Sequence, residues 1–254
     1  MIQPNPRRYA VIMPACDEEP CIGAVLAEMR ATLDSERFDL AVGVNDSQDR
    51  TADIAREYGA IVGETASRGY GHGCQAAVDE IGRRGLPVDA YVFCASDGAN
   101  DPRDILALVS EHERGADMVL GSRTTEPANW TAMNAHYVVA NRAYGFLVGL
   151  LTGRFFSDLG PLRLIERDLF HAMALREWTY GWTIEAQIRA VQLGANIVEI
   201  PVRERSRIAG EQKVGRVSWT RTLSVGMKIA VAGVRSRFTS AQPAARAQAR
   251  LAVH

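Results

Sequence analysis

The sequence predicts an α/β protein: a single domain built on a doubly wound, mostly parallel sheet with helices on both faces. Two observations carry this. Short apolar, β-prone runs alternate with segments of helical apolar spacing, and strands alternating with helices at that spacing pair in parallel. The size also fits: 254 residues, 47% hydrophobic and 23% charged, suit one globular domain with embellishments rather than two.

Tyr9 to Met13 reads as a buried strand halted by Pro14. Pro20 stands where a first helical turn tolerates proline, and Ile22 to Leu33 has helical spacing. Phe38 to Val44 is a second strand, after which Ser47 and Asp49 can cap a helix beginning near Thr51. Ala60 to Gly63 is a third strand, followed by a glycine-rich turn and a helix to about Gly82. Tyr91 to Cys94 is the next strand, and beyond it Asp101 caps a helix with Pro102 at its first position. Asp117 to Gly121 is strand-like, and Trp130 to Thr152 is a long apolar helical stretch. Leu162 to Ile165 and Ala195 to Val202 read as strands on either side of a helix from about Trp182 to Leu193. Trp219 to Val234 has helical periodicity, whereas residues 237–254 read as a disordered or frayed tail without an apolar face.

A net charge of −1 implies no whole-molecule attraction to nucleic acid or anionic lipid. Basic residues do gather locally, at Arg203, Arg205, Arg207, Lys213, Arg216 and Arg221. No apolar run approaches the roughly 18–20 residues of a membrane span, and the first residues lack a signal-peptide core. Cys16, Cys21, Cys74 and Cys94 form no Cys-x-x-Cys pair, so reduced thiols and a cytoplasmic protein are expected. The oligomeric state, a homodimer included, stays open.

Several segments resemble one family in their order. They are Val11 to Glu19 (VIMPACDEE), Asn45 to Thr51 (NDSQDRT), Arg68 to Gly71 (RGYG) and Ser96 to Pro102 (SDGANDP). Leu120 to Arg123 (LGSR), Asp158 to Arg163 (DLGPLR), Tyr180 to Gln187 (YGWTIEAQ) and Glu199 to Arg203 (EIPVR) complete the set. Together they look like family-2 glycosyltransferases of the dolichyl- or polyprenyl-phosphate sugar synthase type, specifically the soluble bacterial branch. The resemblance spans about residues 8–230 and implies a GT-A, Rossmann-like fold. One domain over residues 1–236 is then expected, with a nucleotide half at about 8–122 and an acceptor half at about 123–236.

The implied donor is a nucleotide-diphosphate sugar, bordered by Pro14, Ala15, Asp17 and Glu19 in the turn after the first strand. Helix capping is the competing role for those acids. The family's base-contacting Asp falls on Val44, with Asp46 two residues on as a substitute. Arg68 and Gly69 precede a helix whose N-terminus, with His72 nearby, suits a phosphate. The family's Asp-x-Asp falls on Ala95-Ser96-Asp97, which leaves Asp97 as the metal ligand and a catalytic residue. Mg²⁺ or Mn²⁺ on a diphosphate needs only one or two protein carboxylates, so the ion would be weakly held or dispensable. Neutralisation by Arg68, His72 or the later arginines is the competing solution.

For the acceptor, a polyprenyl phosphate or a small molecule, the resemblance implies Asp158, Arg163, Trp182, Arg205, Arg207 and Lys213. Arg163 would face a phosphate through its donor fork, and Glu185 would orient the attacking group. Surface charge is the competing role for the arginines, and core packing for the aromatics. Two alternative functions remain at this level, because Val44 and Ala95 each replace an expected Asp: a different transferase chemistry on the same fold, or a non-catalytic binding protein.

Overall fold

Tyr9, Val11 and Met13 of the first strand (β1, Tyr9–Ala15) pack into one apolar cluster, and Ala10 and Ile12 into another. Successive side chains of a strand point to opposite faces, so a strand buried on both sides must lie between two layers. The structure, a computed structural model, describes residues 6–131, 133, 135–179, 181–209, 228, 230–236 and 238.

After β1 come α1 (Ile22–Thr32), β2 (Phe38–Asn45), α2 (Thr51–Glu57), β3 (Ile61–Thr65), α3 (Tyr70–Arg83) and β4 (Ala90–Phe93). Then follow α4 (Pro102–Glu113), β5 (Met118–Ser122), a 3-10 turn (Pro127–Thr131) and α5 (Ala135–Thr152). The remaining elements are β6 (Arg163–Glu166), α6 (Arg167–Met173), α7 (Trp182–Gln192) and β7 (Ile197–Pro201). The seven strands form one sheet in the order β3-β2-β1-β4-β6-β5-β7. Only β6 is antiparallel to its neighbours, β4 and β5. Helices α1, α2 and α4 cover one face, and α3, α5, α6 and α7 the other.

Local signals hold where they rest on short-range chemistry. Asp101 caps α4 by accepting the Arg103 N–H, with Pro102 at the first turn. Asp49 accepts the Thr51 N–H at the start of α2, while Ser47 turns instead to the Asp17 N–H. Cys21, Cys74 and Cys94 are buried, and none of the four cysteines is in a disulfide. Helix α6 has no counterpart in the sequence reading. Among the described residues no helix is long and apolar enough to cross a membrane. Lys213, Tyr180, the stretch from Trp219 to residue 227 and all of the tail but residue 238 lie outside the described residues.

Helix α3 lies directly on the sheet. A Cβ on Gly43 of β2 would fall inside the contact radius of the Gly73 carbonyl oxygen, and one on Gly63 of β3 would meet the Ala76 carbonyl. Those obstacles are backbone, which a rotamer change cannot clear. Gly43→Ala is therefore expected to cost on the order of 3 kcal/mol or more in chemical denaturation. A loss below about 1 kcal/mol would mean that the helix shifts without resistance.

At the opposite end of β1, His112 of α4 is buried against Tyr9, whose hydroxyl lies 3.3 Å from its Nδ1. Burial, aided by the neighbouring Arg7, lowers its pKa from the ordinary 6.5 to about 4; Asp89, Glu113 and Asp117 pull weakly the other way. A folded state that prefers neutral histidine keeps this stability above pH 6.5 and loses it as pH falls toward 4. The full effect is about 3 kcal/mol. Denaturation midpoints of the parent and of His112→Gln should therefore diverge at neutral pH and converge by pH 4. Parallel pH profiles would overturn the assignment.

Candidate active site

The loops after β1 and β2 are laced together by side chains accepting backbone N–H groups. Ser47 Oγ accepts from Asp17 N–H and Asp17 Oδ1 from Gln48 N–H, both at 2.8 Å. Thr51 Oγ1 accepts from Glu18 N–H at 2.8 Å, Asp49 Oδ2 from Glu19 N–H at 3.0 Å, and Glu19 Oε2 from Arg50 N–H at 2.9 Å. Asp17 and Asp46 hold left-handed backbone, with φ of 50° and 54°. Such residues persist only where surroundings over-determine them, as this lacing does. Arg68 approaches Asp46 at 3.8 Å from an exposed position.

Asn45, absent from the sequence-derived site, ties three segments together. Its Nδ2 donates to the Ala15 carbonyl beside Pro14, and its Oδ1 accepts the Gly69 N–H. Val44 is buried in the core, where it offers no polar atom. The start of α3, read as an open phosphate site, is already capped: the Gly71 and His72 N–H groups donate to the Trp178 carbonyl. The His72 ring stacks on Trp178 at 5.5 Å.

Past β4, Ala95 donates its N–H to Asn100 Oδ1, and Ser96 Oγ donates to the Pro14 carbonyl. Asp97 Oδ1 accepts the Ala99 N–H at 3.0 Å. A strap at residues 203–209, following β7, closes over this turn. Asn100 and Glu204 form an isolated β-bridge, Arg205 N–H donates to Ala99 O, and Ile208 N–H donates to Asp97 O. Gly98, at φ 81°, leaves the space that Ile208 fills. Arg205 grips both oxygens of Glu28, at 2.6 and 2.9 Å, and donates to Asn100 O.

Arg207 is the centre of this closure. Its Nη1 lies 3.4 Å from Asp97 Oδ2, its Nη2 pairs with Glu18 Oε2, and its Nε donates to Ala209 O. Glu18 is buried, and its Oε2 also accepts the Cys21 thiol at 3.1 Å. Burial and the facing carboxylate push Cys21 up to about 12, so it remains a proton donor. One guanidinium thus answers two carboxylates delivered by the loops after β1 and β4. Where the resemblance expects a metal ion, Ala95 supplies no ligand and Asp97 is already engaged by Arg207. No group of three or more His, Cys, Asp or Glu able to hold a metal occurs among the described residues. These side chains do not form a metal centre of their own.

The acceptor-side residues are placed differently from the sequence reading. Asp158, almost fully buried, accepts the Arg123 N–H and two guanidinium bonds at 2.9 and 3.1 Å, while Arg123 reaches Glu204 at 3.4 Å. Burial opposes the charge of Arg123, yet Asp158 and Glu204 hold its pKa above the ordinary value. Arg163 is not at the surface. It is fully buried, donates to the carbonyls of Thr183 and Gly160, and lies 5.7 Å from the Trp182 ring. Burial lowers its pKa. Trp182 is itself core, packed on Phe93 and Tyr70. Glu185 is equally enclosed: Oε2 accepts the N–H groups of Arg176 and Glu177, and Oε1 pairs with buried Arg189 at 3.3 Å.

Of the sequence-derived residues, the structure brings together Pro14, Ala15, Asp17, Asp46, Gly69, Asp97 and Arg207 at the carboxyl ends of the early strands. It sets Arg163, Trp182 and Glu185 in the core behind them. Arg123 stood in one of the resembling segments, but only its pairing with Asp158 reveals its part. Asn45 likewise opened one of the resembling segments, whereas Glu204 carried no separable signal.

The model of glycosyl transferase family 2 matches residues 10–173. A dolichyl-phosphate hexose transferase of Haloferax volcanii is 35% identical over 213 residues, covering 81% of this chain and 86% of that protein. An undecaprenyl-phosphate mannosyltransferase of Micrococcus luteus is 26% identical over 220 residues, covering 82% and 87%. Among solved structures, glucosyl-3-phosphoglycerate synthase of Mycobacterium tuberculosis, in complex with Mn²⁺, UDP and phosphoglyceric acid, superposes with a TM-score of 0.71. That pair is 18% identical, with 92% of this chain and 80% of the other covered, a likeness of fold: the GT-A sheet.

Glu185 ties the loop that caps α3. Removing it takes from buried Arg189 the carboxylate that faces it, so Glu185→Ala should lose about 3–5 kcal/mol of stability. Hydrogen exchange at Gly71 and His72 should quicken together with that loss. Full stability with turnover alone reduced would instead mark Glu185 as a group acting on the substrate.

Proposed function

The chain belongs to glycosyl transferase family 2, and from that premise we propose that it is an inverting hexosyltransferase moving a sugar from a nucleotide-diphosphate donor to a polyprenyl phosphate. The observation that carries the donor half is the convergence of the loops after β1, β4 and β7 on the Glu18–Arg207–Asp97 set, with the loop after β2 laced to that after β1. Open α/β sheets bind ligands at the carboxyl ends of their strands, and these loops all lie there. The acceptor follows what the dolichyl- and undecaprenyl-phosphate relatives are named for.

In such a transfer an acceptor phosphate oxygen attacks the anomeric carbon as the bond to the diphosphate breaks on the opposite face. A phosphate oxygen is already anionic near neutral pH, so no strong base is required. This agrees with a Glu185 whose oxygens are both engaged inside the protein. Its role is then positioning, through residues 176–178 and the start of α3. The demanding task is stabilising charge on the departing diphosphate. Arg207 is placed for it, oriented by Glu18 and Asp97, with Arg68 exposed beside Asp46. Charge-assisted bonds from a guanidinium suit phosphate oxygens and are stronger than neutral ones. Asp17, Asp46 and the strap at 203–209 frame the donor, while Asp158 holds Arg123 and, through it, Glu204.

Donor binding should depend little on metal, because a protein cation already faces Asp97. Calorimetry with UDP- and GDP-sugars, in Mn²⁺ and in EDTA, should give dissociation constants within about ten-fold of each other. Arg207→Gln should weaken binding in EDTA by about one to two orders of magnitude. Tight binding in Mn²⁺ that vanishes in EDTA would return the task to a metal ion.

A further inference from the structure

Helix α5 is apolar on the side it has no internal use for. Its inner face is accounted for: Val138 and Val148 are buried, and Gly145 and Gly149 admit the backbone of Phe156 and the ring of Phe155. Its outer face is not. Val139, Phe146 and Leu150 are 68%, 55% and 65% exposed, and Phe155, just beyond the helix, is 55% exposed with its ring 5.4 Å from that of Phe146. Positions 139, 142, 143, 146 and 150 are all exposed, and their spacing sets them along one face. A helix on the outside of a water-soluble fold ordinarily turns polar residues outward, and one apolar on both faces is normally covered.

Charge indicates what covers it. Helix α5 contains no Asp or Glu from end to end, and its exposed stripe carries Arg142. A second copy of the chain meeting this face across a two-fold axis would bring the same apolar, basic stripe against itself, with no acid to answer Arg142. An anionic bilayer surface answers both properties, apolar side chains entering the acyl boundary and the guanidinium staying among phosphate headgroups. The helix lies on such a surface rather than through it, since it does not meet the requirements of a span. It also begins just beyond the 3-10 turn whose Asn129 donates to the Arg123 and Val202 carbonyls and accepts from Glu204 N–H, so the apolar face starts at the rim of the site.

We infer that the outer face of α5, continued by Phe155, docks the protein on an anionic membrane surface. The purpose rests on the polyprenyl-phosphate reading, for such an acceptor resides in a bilayer; the physical claim and its test do not. Flotation of the full chain with vesicles of phosphatidylglycerol and phosphatidylcholine, free of any polyprenol, should carry it upward. Vesicles of phosphatidylcholine alone should do so much less. The double variant Phe146→Ser/Leu150→Ser should bind about ten-fold less or weaker still, at an unchanged melting temperature, because both side chains are exposed. Its transfer activity in detergent should equal the parent's. Failure of the parent to float, or equal flotation of the variant, overturns the inference. So does a parent dimer in lipid-free sedimentation that the double variant dissolves, since a second copy would then be the occupant. Retained vesicle binding with no transfer to polyprenyl phosphate in detergent would overturn the acceptor reading and leave the docking surface standing.

Discussion

The site depends on how closely α3 approaches the sheet. Two strand glycines let its backbone rest on β2 and β3 with no side chain between them. The same closeness brings Gly73 against Asn45 and Pro14, and Gly71 against Trp182 and Trp178. The link between the β1 and β2 ends and the start of α3 takes its position from that contact. Asn45 can then span from Ala15 to Gly69, and the Trp178 carbonyl can cap the helix. A helix held off by one methyl layer would separate these partners beyond hydrogen-bond reach.

On that platform the charges are arranged in sets rather than scattered. Arg207 serves Glu18 and Asp97, Arg123 serves Asp158 and Glu204, and Arg205 serves Glu28. Arginine suits this work because its planar fork answers two oxygens at once. The buried pairs at Arg207 and Arg123 contribute little net stability, since desolvation offsets their attraction, but they fix geometry wherever removing one partner is costly. The strap at 203–209 therefore has a defined seat on the β4 turn.

Much of this was legible in the sequence where the signal is local. The alternation of strands and helices, the Asp101–Pro102 start of α4 and the placing of Asp97 at a strand end follow from nearest-neighbour chemistry. The antiparallel entry of β6 was not legible, because strand pairing is decided by partners far along the chain. Helix α6 escaped because its seven residues follow β6 directly and its N-cap position, Glu166, makes no side-chain cap. At the site, the motif around Asp158 and Arg163 was visible but its direction was not. A sequence displays a guanidinium, not what it faces, and Arg163 faces carbonyls and the Trp182 ring inside the core. Likewise the cluster of arginines after β7 was evident, whereas only the fold singles out Arg207 as the partner of Asp97.

The position of β6 has a consequence for how the chain is made. Strands β4 and β5 are not bonded to each other; each is bonded to β6, which lies later in the sequence than both. A ribosome that has released residues as far as β5 has therefore delivered a sheet with a slot in its middle. Until residues 163–166 arrive, β4 presents one raw edge and β5 two, the kind of template on which nascent chains pair wrongly. Completion of the sheet is thus tied to synthesis of the second half, and β6 acts as its keystone.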